Sequence, residues 1–302
     1  MNVTVCIATY RRAERLDLVL QDLKNQTRKP DEIVVVDNDV TGSARAIVEL
    51  HRQRDPALPI HYEVQPERNI ALTRNRTVAL ATGDWLAFID DDERAPLTWL
   101  EQLLEATKRF NADSILAPVI PVVPDDAPHW IKRGRFYDFA RMASGDAVPL
   151  NRMRFGNAII RGEWLRNEPG PFDVNYGLTT GEDADLLIRL VHKGAKVIWD
   201  DAAIVLEPVE KTRLSFRWLL QRALSGGQEF ARKTLAGRYG PVSTLDRTKL
   251  LTRALLQMMV GAVLSVLTLP FGRHRAASWL VKSSANLGKL SVFWGWTYRE
   301  YA

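Results

Sequence analysis

Cysteine occurs once, at Cys6, so no internal disulfide can form and the fold rests on its core. Cys6 lies inside an apolar run, which suits a buried structural thiol. The five histidines, at 51, 61, 129, 192 and 274, show no metal-ligand spacing, which argues against a zinc centre. G-x-S-x-G, Walker A and G-x-G-x-x-G patterns are missing, which argues against hydrolase, P-loop and dinucleotide chemistry. There are no repeats or low-complexity tracts. A basic leader is also lacking: Arg11 and Arg12 follow the first apolar run, and the N-terminal body is expected to stay in the cytoplasm. Several strong membrane-spanning runs are missing too.

What is present is an ordinary globular balance over 302 residues, 46% hydrophobic and 25% charged, with ample core for one large domain or two smaller ones. The net charge of +5 conceals a division. Residues 1–208 carry 26 basic and 32 acidic side chains; residues 209–302 carry 15 and 4. Such asymmetry suggests that the C-terminal part meets an anionic surface, nucleic acid or membrane. A long uncharged apolar stretch interrupts its basic residues, unlike a groove-tracking nucleic-acid patch, and no nucleic-acid partner is expected.

Short apolar, β-branched runs at 3–9, 32–37, 60–64 and 85–89 read as buried strands. Leu16, Val19, Leu20 and Leu23 recur at helical spacing, and 44–50 and 73–81 also suit helices. This alternation predicts an α/β fold: a mostly parallel sheet flanked by helices. Residues 118–128, with four prolines, read as a loop or irregular edge. Residues 186–191 suit a helix, 196–199 a strand and 215–234 a long helix. Residues 254–272 lack charge and are just long enough to cross a bilayer. Basic residues at both ends fit an interfacial helix or a re-entrant hairpin better than a simple span, and Phe293, Trp294, Trp296 and Tyr298 suit a headgroup region. The bland alternative is a buried hairpin of a soluble domain.

In parallel sheets ligands bind beyond the carboxyl ends of the strands. Thr9 and Tyr10, Asp37, and Asp90 to Asp92 all fall at such ends. Four successive carboxylates, Asp90 to Glu93, repel one another unless a cation intervenes. Hard divalent cations take oxygen ligands and often share them with substrate phosphates. In an extended segment Asp90 and Asp92 would face one ligand and Asp91 would turn away. Asp37-Asn-Asp39 suits an Asx turn or hydrogen bonds to a base or ribose. Tyr10 offers a stacking face. Glu182 and Asp183, ahead of a helical run, read as helix-start carboxylates or as a general base acting on an acceptor hydroxyl.

The ordered set Ala8-Thr-Tyr-Arg11, Val35-Val-Asp37, Arg74-Asn75, Phe88-Ile-Asp-Asp-Asp92 and Gly181-Glu-Asp183 resembles family 2 glycosyltransferases of the GT-A fold, over about residues 3–210. The C-terminal part is similar to bacterial exopolysaccharide enzymes of the succinoglycan type, which are membrane-associated. The resemblance implies a GT-A domain at 1–210 and a helical, membrane-associating region at 211–302. It implies that Thr9, Tyr10, Asp37, Asp39, Arg74, Asp90 and Asp91 line the nucleotide-sugar pocket. It makes Asp92 and Asp90 ligands of Mn2+ or Mg2+, with Asp183 as base and Glu182 beside it. Trp218 and Arg222 fall where relatives carry residues near acceptor and diphosphate, although R-W-L-L-Q-R departs from the Q-x-x-R-W of processive synthases.

The implied activity is inverting transfer from a nucleotide-sugar, expected to be a UDP-sugar, to a lipid-linked or other saccharide acceptor in exopolysaccharide synthesis. The implied location is the cytoplasmic face of the bacterial inner membrane. The alternatives are a non-catalytic membrane-bound nucleotide-sugar-binding module and a sugar-nucleotide nucleotidyltransferase. The latter would need a glycine-rich N-terminal phosphate loop, which Ala8 to Arg12 does not supply.

Overall fold

A computed structural model describes residues 1–298; the last four residues of the expected 211–302 region lie outside the described residues. In chain order the elements are β1 (Val3–Thr9), α1 (Ala13–Lys24), β2 (Glu32–Asp37), α2 (Arg45–Arg54), β3 (Ile60–Val64), α3 (Ile70–Leu80) and β4 (Trp85–Phe88). Next come α4 (Trp99–Arg109), β5 (Ser114–Leu116), β6 (Val119–Val122), α5 (His129–Gly134), β7 (Ala158–Arg161), α6 (Gly162–Arg166), α7 (Glu182–His192), β8 (Val197–Trp199) and β9 (Val205–Pro208). The chain ends in three long helices, α8 (Phe216–Leu235), α9 (Thr244–Thr268) and α10 (Arg273–Ser291). It divides into two compact units. The first holds Met1–Ile120, Phe139–Leu178 and Glu182–Pro208; the second holds Pro121–Asp138, Thr179–Gly181 and Val209–Ala302.

The first unit carries a seven-stranded sheet in the order β3-β2-β1-β4-β7-β5-β8. All neighbouring strands pair in parallel except β7, which runs antiparallel to both β4 and β5. β2 is buried along its whole length, and β1 nearly so, because helices cover both faces. Leu16, Val19, Leu20 and Leu23 form the buried stripe of α1, as their spacing predicts. α3 begins at Ile70, earlier than the expected residue 73, because the Asn69 side chain accepts the Leu72 N–H and caps it. Gly83 lets β4 start beside β1: a Cβ there would lie 2.7 Å from the Thr4 backbone nitrogen.

β7 and α4 are elements that the sequence reading did not anticipate. β7 has only four residues, too few for periodicity to separate strand from loop. α4 buries Trp99, Leu100, Leu103 and Leu104 at helical spacing, and the Trp99 indole N–H donates to Asn157 at 2.9 Å.

In the second unit α8 and α10 meet closely at glycines. A Cβ on Gly227 would lie 1.9 Å from the Ala285 carbonyl, and one on Gly288 would lie 2.1 Å from that of Leu224. α9 runs antiparallel to α10: Ser265 donates to the Ala276 carbonyl and Ser283 to that of Met258. A Ser243–Asp246 capping box starts α9 ten residues before the apolar stretch, and a short 3-10 turn at Leu269–Phe271 contains Pro270.

Candidate active site

The first unit gathers its carboxylates beyond the C-terminal ends of β1 and β4. After Ile89 the chain turns instead of continuing extended, so simple alternation of Asp90, Asp91 and Asp92 does not apply. The turn brings each of the three carboxylates to a guanidinium, with Asp91 and Asp92 sharing Arg12. Asp91 accepts from the Thr9 hydroxyl at 2.7 Å and from Arg12 at 2.9 Å. Asp92 accepts from Arg12 at 3.1 Å and lies 3.7 Å from Arg15. Asp90 accepts from Arg74 at 3.1 Å. Asp91 therefore turns onto β1, and Asp92 leans to the same arginine as Asp91.

Enclosure in protein holds the Asp90 carboxyl above the usual carboxylate range, with Asp92 and Asp183 adding to the effect and Arg74 opposing it. Its side chain keeps 45% of its surface open, so the enclosing surface is a cleft wall, not a core. Burial raises Asp91 to about 6, against the opposing Arg12. Glu93 is buried, its carboxylate accepts the Asp90 N–H, and its proton affinity is raised by burial and by Asp90. Gly156, at φ +114°, passes close behind this turn: a Cβ there would stand 3.2 Å from Glu93 Oε1 and 3.8 Å from Asp90 Oδ2.

Arg74, on α3, joins this turn to the start of α7. One guanidinium nitrogen donates to Asp90 and another to Glu182 Oε1 at 2.6 Å. The group also lies over the rings of Phe155 and Phe172, 5.4 and 5.9 Å from their centres. Glu182 is buried, whereas Asp183 is half-buried. Asp183 is held by two backbone donors, the Phe155 N–H at 2.9 Å and the Ala184 N–H at 2.7 Å. Arg74, Asp90, Glu182 and Asp183 are thus brought into one electrostatic cluster.

The β1–β2 end is more closed. Asp37 is fully buried and accepts from the Asp39 N–H (2.9 Å), the Ala44 N–H (2.8 Å), the Tyr62 hydroxyl (3.0 Å) and Ser43 (3.4 Å). Asp39 is buried, pairs with Arg11 at 3.0 Å and accepts the Thr41 N–H. The guanidinium carbons of Arg11 and Arg68 lie 5.1 and 4.9 Å from the centre of the Tyr10 ring. Thr9 is committed to Asp91.

Trp218 and Arg222 belong to α8, in the second unit. Trp218 packs with Tyr137 at 5.7 Å between ring centres, beside Ile131, Val209 and Leu219. The sequence reading included Glu93 in the acidic run but missed Arg12, Arg15, Gly156, Phe155 and Phe172. Arg12 had a usable signal, being two residues beyond Tyr10 at the same strand end. Phe155 and Gly156 carry none, because their place depends on β7 and the loop before it, and Arg15 and Phe172 reach this region only through the folding of α1 and of the segment between α6 and α7.

A strand order of 3-2-1-4-7-5-8 with one antiparallel insertion, and carboxylates beyond the ends of β1 and β4, is the arrangement of the GT-A fold. The family model for glycosyl transferase family 2 matches residues 4–167, and the chain belongs to that family. It is 32% identical over 238 residues to the succinoglycan biosynthesis protein ExoM of Rhizobium meliloti, covering 77% of this chain and 75% of that protein. It is 28% identical over 246 residues to a glucosyl-dolichyl phosphate glucuronosyltransferase of Haloferax volcanii, covering 75% of each. Its fold matches the mannosyltransferase PcManGT from Pyrobaculum calidifontis, solved with GDP-Man and Mn2+, at a TM-score of 0.66 and 20% identity over 98% of this chain and 87% of that one.

Proposed function

We propose that the protein is an inverting, metal-dependent glycosyltransferase that moves a sugar from a nucleotide-sugar, expected to be a UDP-sugar, to a hydroxyl of a lipid-linked saccharide during exopolysaccharide synthesis. Residues 1–210 form the GT-A catalytic domain and 211–302 the membrane-associating region, at the cytoplasmic face of the inner membrane. The observation that carries this reading is the Arg74-centred cluster, which sets a base candidate, Asp183, beside the acidic turn. The dolichyl phosphate relative supports a lipid-linked acceptor, and the ExoM relative supports a role in exopolysaccharide synthesis.

Asp183 suits the base because its carboxylate is half-open to solvent and fixed by two backbone N–H groups. A sugar hydroxyl is a poor nucleophile at neutral pH, so a positioned carboxylate must take its proton as the bond to the anomeric carbon forms. Attack from the face opposite the leaving diphosphate inverts that centre in one displacement. Glu182 holds Arg74, and Arg74 holds Asp90; that chain fixes the base and the acidic turn relative to each other.

The donor set at the turn is all oxygen and suits Mn2+ or Mg2+, with Asp92 and Asp90 as ligands. Asp92 and Asp183 stand near enough to Asp90 to repel its charge, and a cation at the turn would offset that repulsion. Among the described residues no three such side chains cluster as a closed cage, so the remaining ligands would come from the donor's diphosphate. When bound, the ion supplies Lewis-acid stabilisation of the departing diphosphate. Tyr10 gives the base a face to stack on. Thr9 and Asp91 support the turn behind the pocket. Asp37 and Asp39 shape the base-binding loop, with any contact to uracil or ribose made from its rim. For Trp218 and Arg222 the family pattern supports roles at acceptor and diphosphate.

The test is a screen of nucleotide-sugars against membranes carrying lipid-linked acceptors, with product linkage identified. Transfer by the native chain and its loss in Asp183→Asn support the reading. Donor binding without turnover of any tested sugar favours the binding-module alternative.

A further inference from the structure

The largest feature left unused by the catalytic reading is the outer side of α9. Its inner stripe, Ala254, Met258, Gly261 and Ser265, packs on α10, with Gly261 close to the Trp279 carbonyl. The rest stands exposed, including Leu256, Met259, Val263, Val266 (72%), Leu267 and Phe271. An apolar surface of this length is far larger than scattered surface hydrophobics explain.

Charge identifies what covers it. From Arg247 to Tyr298 the chain has seven basic residues and no acidic one. A second copy laid on this face would set like charge against like. An anionic bilayer would match it, and Trp294 (71% exposed) and Trp296 offer amphipathic rings of the kind found at headgroup level.

The packing also decides how the helix meets the lipid. At 25 residues α9 is about 37 Å long, enough to span. Its antiparallel partner would have to share its depth, and α10 carries Lys282, Asn286 and Lys289. The Ser265–Ala276 and Ser283–Met258 contacts set Lys282 level with about residue 259, so spanning would bring it into hydrocarbon. A re-entrant hairpin would place its turn deepest, and the turn is followed at once by Arg273, His274 and Arg275. Both arrangements bury basic side chains in a stretch, 247–298, that has no acidic residue to balance them, which is costly. With the helix flat, the apolar side meets acyl chains while Arg253 at one end and Arg273 and Arg275 at the other stay among phosphates.

We propose that α9 lies in the membrane plane as an interfacial helix on an anionic leaflet, neither crossing nor re-entering it. This rests on the membrane-associated reading above and sharpens it. The test uses the full chain with single cysteines, Leu256→Cys, Val263→Cys and Phe271→Cys, each carrying a nitrobenzoxadiazole label. Native Cys6 is buried, and burial pushes its thiol far above the usual range, so it stays unlabelled. Binding and depth are read on phosphatidylcholine–phosphatidylglycerol vesicles with lipids quenched at different acyl positions.

The expected result is equal, shallow depth at all three sites. Depth increasing from residue 256 to 271 would mean a re-entrant hairpin, and a maximum at 263 a span; either overturns the proposal. Labels shielded only as protein concentration rises, without vesicle binding, would mean a second copy and overturn it too. Arg273→Glu combined with Arg275→Glu should weaken binding to these vesicles at least about tenfold and leave pure phosphatidylcholine unaffected; unchanged binding to the anionic vesicles contradicts the charge argument. No sugar donor is needed, so failure here leaves the transferase reading standing, and failure of transfer leaves the depths interpretable.

Discussion

Arg74 holds two carboxylates with one planar group, and its side chain is 12% exposed. Removing it takes from the buried Glu182 its ion pair with Arg74, so Arg74→Ala should cost about 3 kcal/mol, read from a denaturant midpoint. Arg74→Lys should recover little, because an ammonium cannot fork between Asp90 and Glu182. Asp183→Asn keeps the shape while removing the base; kcat should fall roughly 100- to 10,000-fold with an unchanged circular dichroism spectrum. Asp91 supplies a pH test. Its proton affinity in the native state, near pH 6, exceeds the unfolded value of about 3.9, so the native state binds the extra proton between these values. The ionised group therefore penalises the fold above about pH 6, and that penalty is relieved as pH falls through this range. Asp91→Asn should flatten this part of the stability–pH curve; a curve matching the native chain would contradict the assignment. At this scale Arg74, inside α3, was indicated by the family resemblance alone, whereas the sequence displayed Asp37 and Asp90 to Asp92 plainly, because strand ends expose them as abrupt polar breaks. It hid their partners: Asp37 is saturated by donors from a loop seven residues on and from β3, which no linear pattern reveals.

At the scale of elements, buried parallel strands were readable because both faces are covered, which makes β1, β2 and β4 largely continuous hydrophobic runs, whereas β3, with His61 and Glu63, is only partly buried. β7 was not, since its four residues gain their identity only by pairing with β4 and β5. Likewise the start of α9 is set by the Ser243 capping box and not by the uncharged stretch. Two adjacent glycines on α8 test the helix packing. Gly227 faces the Ala285 carbonyl, and Gly226 meets nothing within 4 Å of a built Cβ. Gly227→Ala must push α8 and α10 apart and should destabilise markedly. Gly226→Ala should stabilise by about 0.5–1 kcal/mol through helix propensity. Equal midpoints for the two variants would contradict the packing. Gly156→Ala, strained at φ +114° and pressed against Glu93, should cost about 1–3 kcal/mol.

For the molecule as a whole, the net charge of +5 averages two unlike parts, an acidic N-terminal portion and a C-terminal portion with 15 basic and 4 acidic residues. That division was visible in composition alone, whereas the chain segments that make up each unit were not: Pro121–Asp138 joins the second unit despite its early position. The chain's membership in glycosyl transferase family 2 fixes the class of chemistry, and the stereochemistry of transfer is where the proposed mechanism is most exposed. The direct measurement is the anomeric configuration of the first product formed by the full chain from a turned-over nucleotide-sugar, followed by nuclear magnetic resonance before mutarotation, with Asp183→Asn run in parallel. The account predicts an inverted anomeric centre and loss of product in the variant. Retained configuration, or full turnover by Asp183→Asn, would contradict it.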